Sequence, residues 1–308
     1  MTPEYTYEAT LATAQRIGWK VEDVIGGEQR LDFSLPFLPE SLAQVEPLAF
    51  LSRDEKRILN QIRGHGYLSI FGLVEEFIVP FVLDGARPGL HGDAIRTRAL
   101  LQFASEEAKH IDLFRRFGVE FERGFGTRCD VIGPPEAIAS AVLAHPPLSV
   151  AILILGIEWF TQQHYTDSVR DDGALDPLFK SLLKHHWLEE AQHVKLDTLL
   201  VEELARGMTE PDILDAVDHY FQIGGVLDGG LRQQVALDVE ALQRATGRIF
   251  TPDERAALER VQHQANRWTF IGSGMTHPSF LATIGRLSAT ARRRVEDIAP
   301  AFCLAPMS

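Results

Sequence analysis

Two five-residue stretches, Glu106-Glu107-Ala108-Lys109-His110 and Glu189-Glu190-Ala191-Gln192-His193, share the pattern Glu-Glu-Ala-x-His and decide how the rest of this 308-residue chain reads. In a helix, Glu107 and His110 stand three residues apart on nearly one face, as do Glu190 and His193. Each pair can therefore present a carboxylate and an imidazole to one cation. The two copies lie 83 residues apart, and Glu75 and Glu158, each 32 residues before the second Glu of a copy, are separated by the same 83. Both sit among large apolar neighbours, so the trio Glu75, Glu107, His110 recurs as Glu158, Glu190, His193. Glu76 adjoins Glu75, and only the repeat offset favours Glu75. Glu106 and Glu189 read as solvated partners on the outer faces of their helices.

Working outward, Ser52-Arg53-Asp54-Glu55 has the form of a capping box, and Ile58, Ile62, Leu68, Phe71, Ile78 and Val82 follow at helical spacing, so a helix is expected over 52–83, with Pro80 near its end. The stretch 84–89, with two glycines and a proline, reads as a break. A second helix is expected over 93–117, with Ile95, Leu100, Phe103, Ile111 and Phe114 inward, then a loop over 124–135. Further helices are expected over 135–144, 147–170 and 176–206, and three more from Pro211 onward, broken near 247–252 and 272–278. Residues 1–50, with Pro36, Pro39 and Pro47, read as an irregular arm holding at most one short helix. Nothing reads as a strand. The expected class is all-α, one compact domain over 1–308, with a core bundle at about 50–207 and helices 208–308 packed on it.

Composition narrows the function. The hydrophobic share is 45% and the charged share 24%, an ordinary globular balance. Asp and Glu number 43 against 30 Lys and Arg, a formal net charge of −13 that argues against nucleic acid or an anionic membrane surface as partner. The only cysteines, Cys129 and Cys303, have no ligand-like spacing, which disfavours a disulfide scaffold, a zinc–thiolate site or an iron–sulfur cluster. The start, Met1-Thr2-Pro3-Glu4-Tyr5, is polar, unlike a signal peptide, and the apolar run 150–157 is too short to span a bilayer. A cytoplasmic protein is expected.

Two antiparallel helix pairs, each bringing one Glu and one Glu-x-x-His inward, build a ferritin-like four-helix bundle with six ligands for two iron or manganese ions. Carboxylates bridge and neutralise two cations, and imidazoles suit iron. His186, four residues before Glu190 and seven before His193, lies on the same stripe, whereas Phe103 stands at the matching place in the first half. His186 is therefore a seventh candidate, and neighbouring His185 an ordinary histidine.

Over residues 50–205, Glu75, Glu107-x-x-His110, Glu158 and His186-x-x-x-Glu190-x-x-His193 resemble the ligand pattern of the arylamine N-oxygenases, the p-aminobenzoate N-oxygenase type. The resemblance implies two Fe ions (Mn as the alternative metal) that activate O₂ as co-substrate and oxidise an amine through hydroxylamine towards nitroso or nitro, in a homodimer. No Gly-rich dinucleotide motif is present, so electrons are expected from an external donor protein. A ribonucleotide-reductase-type radical subunit is disfavoured because Phe114, not tyrosine, stands four residues after His110. C–H hydroxylation needs the same ligands and remains an alternative. Non-enzymatic metal storage is the other, less suited to a chain with helices 208–308 to cover a substrate pocket.

Weaker candidates complete the reading. Trp159 and Phe160 are placed to wall a pocket, and Asp197, one turn after His193, to bond a ligand or face solvent. Arg96, Arg98, Asn266 and Arg267 are candidates to meet a substrate carboxylate. His145, His164, His219, His263 and His277 read as structural, and Arg292-Arg293-Arg294 as a solvated helix face.

Overall fold

A computed structural model describes residues 5–304; Met1–Glu4, on which the leader reading rests, and the last four residues lie outside the described residues. The arm is more ordered than its prolines suggest. It forms α1 (Tyr7–Ile17), capped by Thr6, and two single-turn helices, α2 (Val21–Val24) and α3 (Glu40–Ala43). Leu11 and Ala14 bury one face of α1, which packs across α5 (Ala94–Phe125) and α8 (Pro177–Leu204).

The long α4 (Arg53–Ala86) starts where expected, with Ser52 and Glu55 closing the capping box through bonds of 2.7 and 3.2 Å. It runs through Pro80 and three residues into the expected break, ending at Ala86. Val82 and Ala86, four apart, continue its buried stripe, and Arg96 donates to the Gly85 carbonyl at 2.9 Å. A 3₁₀ turn, Arg87–His91, then leads to Asp93, which caps α5. That helix also outruns its expected end, because Phe121 buries itself among Phe33, Phe37 and Phe125; Gly126, at φ 74°, terminates it in the left-handed conformation. Ile95, expected inward, is instead exposed in its first turn.

After α6 (Pro135–Leu143), α7 (Pro147–His164) continues into a π turn, Tyr165–Val169, and Asp176 caps α8. α4 packs along α5 and α7 along α8, and α5 meets α8, which gives the ferritin-like four-helix bundle. Beyond it come α9 (Glu210–Thr246) across α4 and α7, then α10 (Pro252–Arg267), a π turn (Trp268–Gly272), α11 (Ser273–Thr276), α12 (Pro278–Leu287) and α13 (Ala289–Ile298). The last expected helix is thus two, α12 and α13, cut by the Ser288 cap. No strand occurs among the described residues.

The stretch Arg53–His91 is long and apolar enough to cross a membrane by composition, with a window of mean hydropathy 1.7, although charged residues interrupt it. In the fold 61% of that window is buried, and it carries Glu75 inside the bundle.

Candidate metal centre

The seven predicted donors converge in the bundle core: Glu75 from α4, Glu107 and His110 from α5, Glu158 from α7, and His186, Glu190 and His193 from α8. None is more than 2% exposed. The choice between adjacent glutamates falls to Glu75, since Glu76 faces outward and accepts from Arg115 at 2.7 Å.

Their ligand atoms form two groups, each within 4.8 Å: Glu75, His110, His186 and Glu190 in one, and Glu107, Glu158, Glu190 and His193 in the other. Glu190 belongs to both. Its Oε1 lies 2.6 Å from His186 Nε2 and 3.1 Å from His110 Nδ1, while its Oε2 lies 2.7 Å from His193 Nδ1. Glu107 spans the same gap, with Oε2 3.4 Å from His110 Nδ1 and Oε1 2.9 Å from His193 Nδ1. Glu75 Oε1 is 3.2 Å from His186, on one side only, and Glu158 Oε1 is 4.0 Å from His193 on the other. Two carboxylates therefore reach both groups, where they would bridge two ions, two reach one group each, and His186 makes one group richer in imidazole.

The electrostatics call for added positive charge. Burial, reinforced by Glu190, holds Glu158 well above the usual carboxylate range. Burial also opposes ionisation of Glu190, but His193 and His186 outweigh it and hold that carboxyl well below the range. His110 would be lowered by burial, yet the carboxylates of Glu190, Glu107 and Glu189 raise it well above its ordinary value. The buried oxygen Glu75 Oε2 has no hydrogen-bond partner, and Glu107 Oε1 and Glu190 Oε1 lie close to imidazole nitrogens without an aligned hydrogen bond. Four buried carboxylates, an unpaired oxygen and three imidazoles fit a pair of divalent ions of the iron or manganese type.

Glu106 and Glu189 correct the sequence reading. They are buried, and each crosses to the other motif: His193 Nε2 donates to Glu106 Oε2 at 3.0 Å, and His110 Nε2 to Glu189 Oε2 at 2.9 Å. A carboxylate only accepts here, so both imidazoles carry hydrogen on Nε2, and their Nδ1 atoms face Glu107 and Glu190, where a metal would take the place of a proton. Gln102 donates to Glu106 at 2.9 Å, and Lys109 pairs with Glu189. The arm closes this end, with Trp19 stacked on His110 at 6.0 Å and the Lys109 ammonium 4.0 Å above the Trp19 ring.

Asp197 is neither solvated nor bonded to a ligand: it is fully buried, both oxygens lack partners, and burial raises its carboxyl well above the usual range. His185 bonds its own helix at the Ser181 carbonyl. Phe114 packs its edge on His186 at 5.0 Å. Trp159 stacks on His277, whereas Phe160 joins Phe71 and Phe270 behind His186. The carboxylate candidates are occupied or remote. Arg96 bonds Glu203 at 2.9 Å, Arg267 holds Asp228 at 2.7 and 2.6 Å, Asn266 accepts from buried Arg63, and Arg98 is exposed. The other histidines have structural roles: His145 meets His219, His164 lies between Tyr67 and Ser273, His263 pairs with Asp228, and His277 caps α12. Arg292 and Arg294 make surface ion pairs.

No family model and no curated protein matches the chain. Among solved structures it is similar to R2-like ligand-binding oxidase mutants. One with aerobically reconstituted Mn/Fe cofactor has a TM-score of 0.46 and 16% identity over 87% of this chain and 93% of that one. Another, anaerobically reconstituted, has a TM-score of 0.43 and 15% identity over 94% and 93%. Likeness this distant carries no argument about chemistry, which rests on this chain's own residues.

Proposed function

We propose that this chain is an O₂-dependent dimetal oxygenase that oxidises a small amine at nitrogen, through hydroxylamine towards nitroso or nitro, with two iron ions as cofactor. The observation that carries the reading is the pair of four-donor groups sharing Glu190, with Glu107 spanning them, inside a bundle that excludes bulk water. Glu75, His110 and His186 would hold one ion, Glu158 and His193 the other, with Glu107 and Glu190 between. Such a pair supplies two-electron redox chemistry towards O₂.

The chain's own residues do the rest. Glu106 and Glu189 fix the tautomer and ring angle of His193 and His110. Phe103, 4.1 Å from the His193 ring, and Phe71 and Phe114 beside His186 keep the centre dry. The third imidazole makes the two metal positions unequal. Electrons come from a separate donor protein.

The test is to load the metal-free chain with Fe(II), admit O₂ with a chemical reductant, and follow iron content, visible absorption and oxidation of an arylamine panel. Two irons per chain, a transient visible band and N-oxidised product are expected. A chain that takes up no iron overturns the reading. Stoichiometric iron oxidation with no product from any amine replaces it with metal storage.

A further inference from the structure

Away from the bundle core, two half-buried histidines from distant parts of the chain meet at the surface. His145 stands in the turn between α6 and α7, and His219 lies on α9. Their Nδ1 atoms face one another at 3.0 Å, with ring centroids 5.2 Å apart and planes inclined at 72°. Pro146 and Pro147 follow His145 directly and restrict its backbone, while His219 sits well inside a 37-residue helix, so both rings stand on rigid supports. Asp215, one turn before His219, places Oδ2 4.0 Å from His219 Nε2. Glu158 lies about three turns beyond Pro147 along α7, roughly 16 Å of helix, so this pair is separate from the bundle donors.

We propose that His145 and His219 together hold a d-block dication, Cu(II) ahead of Ni(II) and Zn(II), at the surface between the α6–α7 turn and α9. The site is additional to the bundle core and does not depend on the oxygenase reading. Both Nδ1 atoms offer a lone pair to the same point. An ion about 2.0–2.1 Å from each would subtend an N–metal–N angle of about 95° at the observed 3.0 Å separation. A tetrahedral ion asks for about 109° and an N···N span of about 3.3 Å, whereas a square-planar or tetragonal one asks for about 90° and about 2.9 Å. The observed span is nearer the second, the geometry of Cu(II) and Ni(II), and Cu(II) binds nitrogen donors most tightly in the divalent series.

Proton placement agrees with this use. Without metal the contact is an N–H···N bond, in which one Nδ1 carries hydrogen and the other accepts. The Asp215 carboxylate draws the hydrogen of His219 to Nε2, which makes its Nδ1 the acceptor and His145 the donor. Metal entry then needs only a change of tautomer at His145: the Nδ1 proton leaves to water and another is taken up at Nε2. Both rings stay neutral, and the ion exchanges two waters for two imidazoles. The His219 side chain is 32% exposed and that of Asp215 73%, so water completes the coordination. Two protein donors with open positions mark an ion that exchanges, unlike the closed four-donor structural site.

The test titrates the full chain with Cu(II), reading copper bound per chain by equilibrium dialysis and nitrogen couplings by frozen-solution EPR. His219→Gln keeps an acceptor for His145, and His145→Asn keeps a polar group at a half-buried position, so both should fold. Each is expected to bind one copper fewer than the parent and to lose the two-nitrogen coupling pattern. Glu190→Ala, which disables the bundle core, should keep that pattern. Asp215→Asn should bind copper about 10-fold more weakly, and Zn(II) should bind the parent at least about 10-fold more weakly than Cu(II) does. Equal copper content in the parent and His219→Gln overturns the site. So does a two-nitrogen pattern that survives both histidine substitutions and disappears in Glu190→Ala, which would assign the copper to the bundle core.

Discussion

His110 Nε2 donates to Glu189 Oε2 across the bundle at 2.9 Å, so a residue of the second motif orients the histidine of the first. Glu106 does the same in reverse for His193 at 3.0 Å. The two Glu-Glu-Ala-x-His copies are therefore interlocked, and neither half of the centre is geometrically complete alone.

Glu189→Leu removes the acceptor from His110 and frees its ring to rotate. Metal affinity should fall by roughly 10- to 100-fold. Glu189→Gln keeps an amide oxygen facing Nε2 and should recover most of it. Competition with a chromophoric chelator measures both; equal affinity in Glu189→Leu and the parent chain would show that the bond does not position the ring.

The sharing of Glu190 separates its role from that of Glu158. Glu190→Ala removes an oxygen from both four-donor groups and should abolish metal loading, as should Glu107→Ala. Glu158→Ala strips a terminal ligand from one side and should leave about one ion per chain, since the other side keeps Glu75, His110, His186 and Glu190. Elemental analysis of the refolded variants reads the difference directly. Two ions retained in Glu190→Ala would remove it from the bridge.

Much of this centre was legible because the fold repeats. The offset that pairs Glu75 with Glu158 singles out the one of two adjacent glutamates that faces into the bundle. Glu106 and Glu189 obey that offset too, and the repeat was the available signal for them. They were misread because a residue next to a ligand points about 100° away, towards solvent on an isolated helix but towards the opposing motif where α5 meets α8. The arm was missed for another reason. Pro36, Pro39 and Pro47 lie after α1, and no local pattern announces that Trp19 stacks on His110 from 91 positions away. The break expected at 84–89 begins late, at Arg87, because burial of Val82 and Ala86 outweighs the low helix propensity of Gly85. Arg63, which donates to Asn266 of α10, and His65, which stacks on Phe121 of α5, are buried beside partners far along the chain that no local pattern reports.

His186 distinguishes the two halves, and its counterpart Phe103 suggests the substitution. His186→Phe should fit, because the imidazole already lies edge-on between Phe71 and Phe114 at 5.1 and 5.0 Å. The variant keeps both bridges and should retain most of its iron. The rate of Fe(II) oxidation by O₂ in stopped flow should change by about 10-fold, as one ion exchanges a nitrogen donor for none. An unchanged rate would make the third imidazole a bystander.

His65 sets an acid limit on the fold, independent of the metal. Its ring is buried and stacks on Phe121 at 4.5 Å, and burial holds its pKa down at about 4, against 6.5 when exposed. The unfolded chain therefore takes up a proton at this residue before the folded chain does. The contribution is fully present above pH 6.5 and is lost as pH falls towards 4. Between pH 7 and pH 5 the loss is about 2 kcal/mol, from 1.36 kcal/mol per pH unit below 6.5. His65→Phe keeps the stacking and removes the titration. Urea unfolding of the metal-free chain at both pH values should show the variant losing about 2 kcal/mol less than the parent on acidification. If the two lose stability in parallel, the His65 ring already carries its proton inside the core, or water reaches it there.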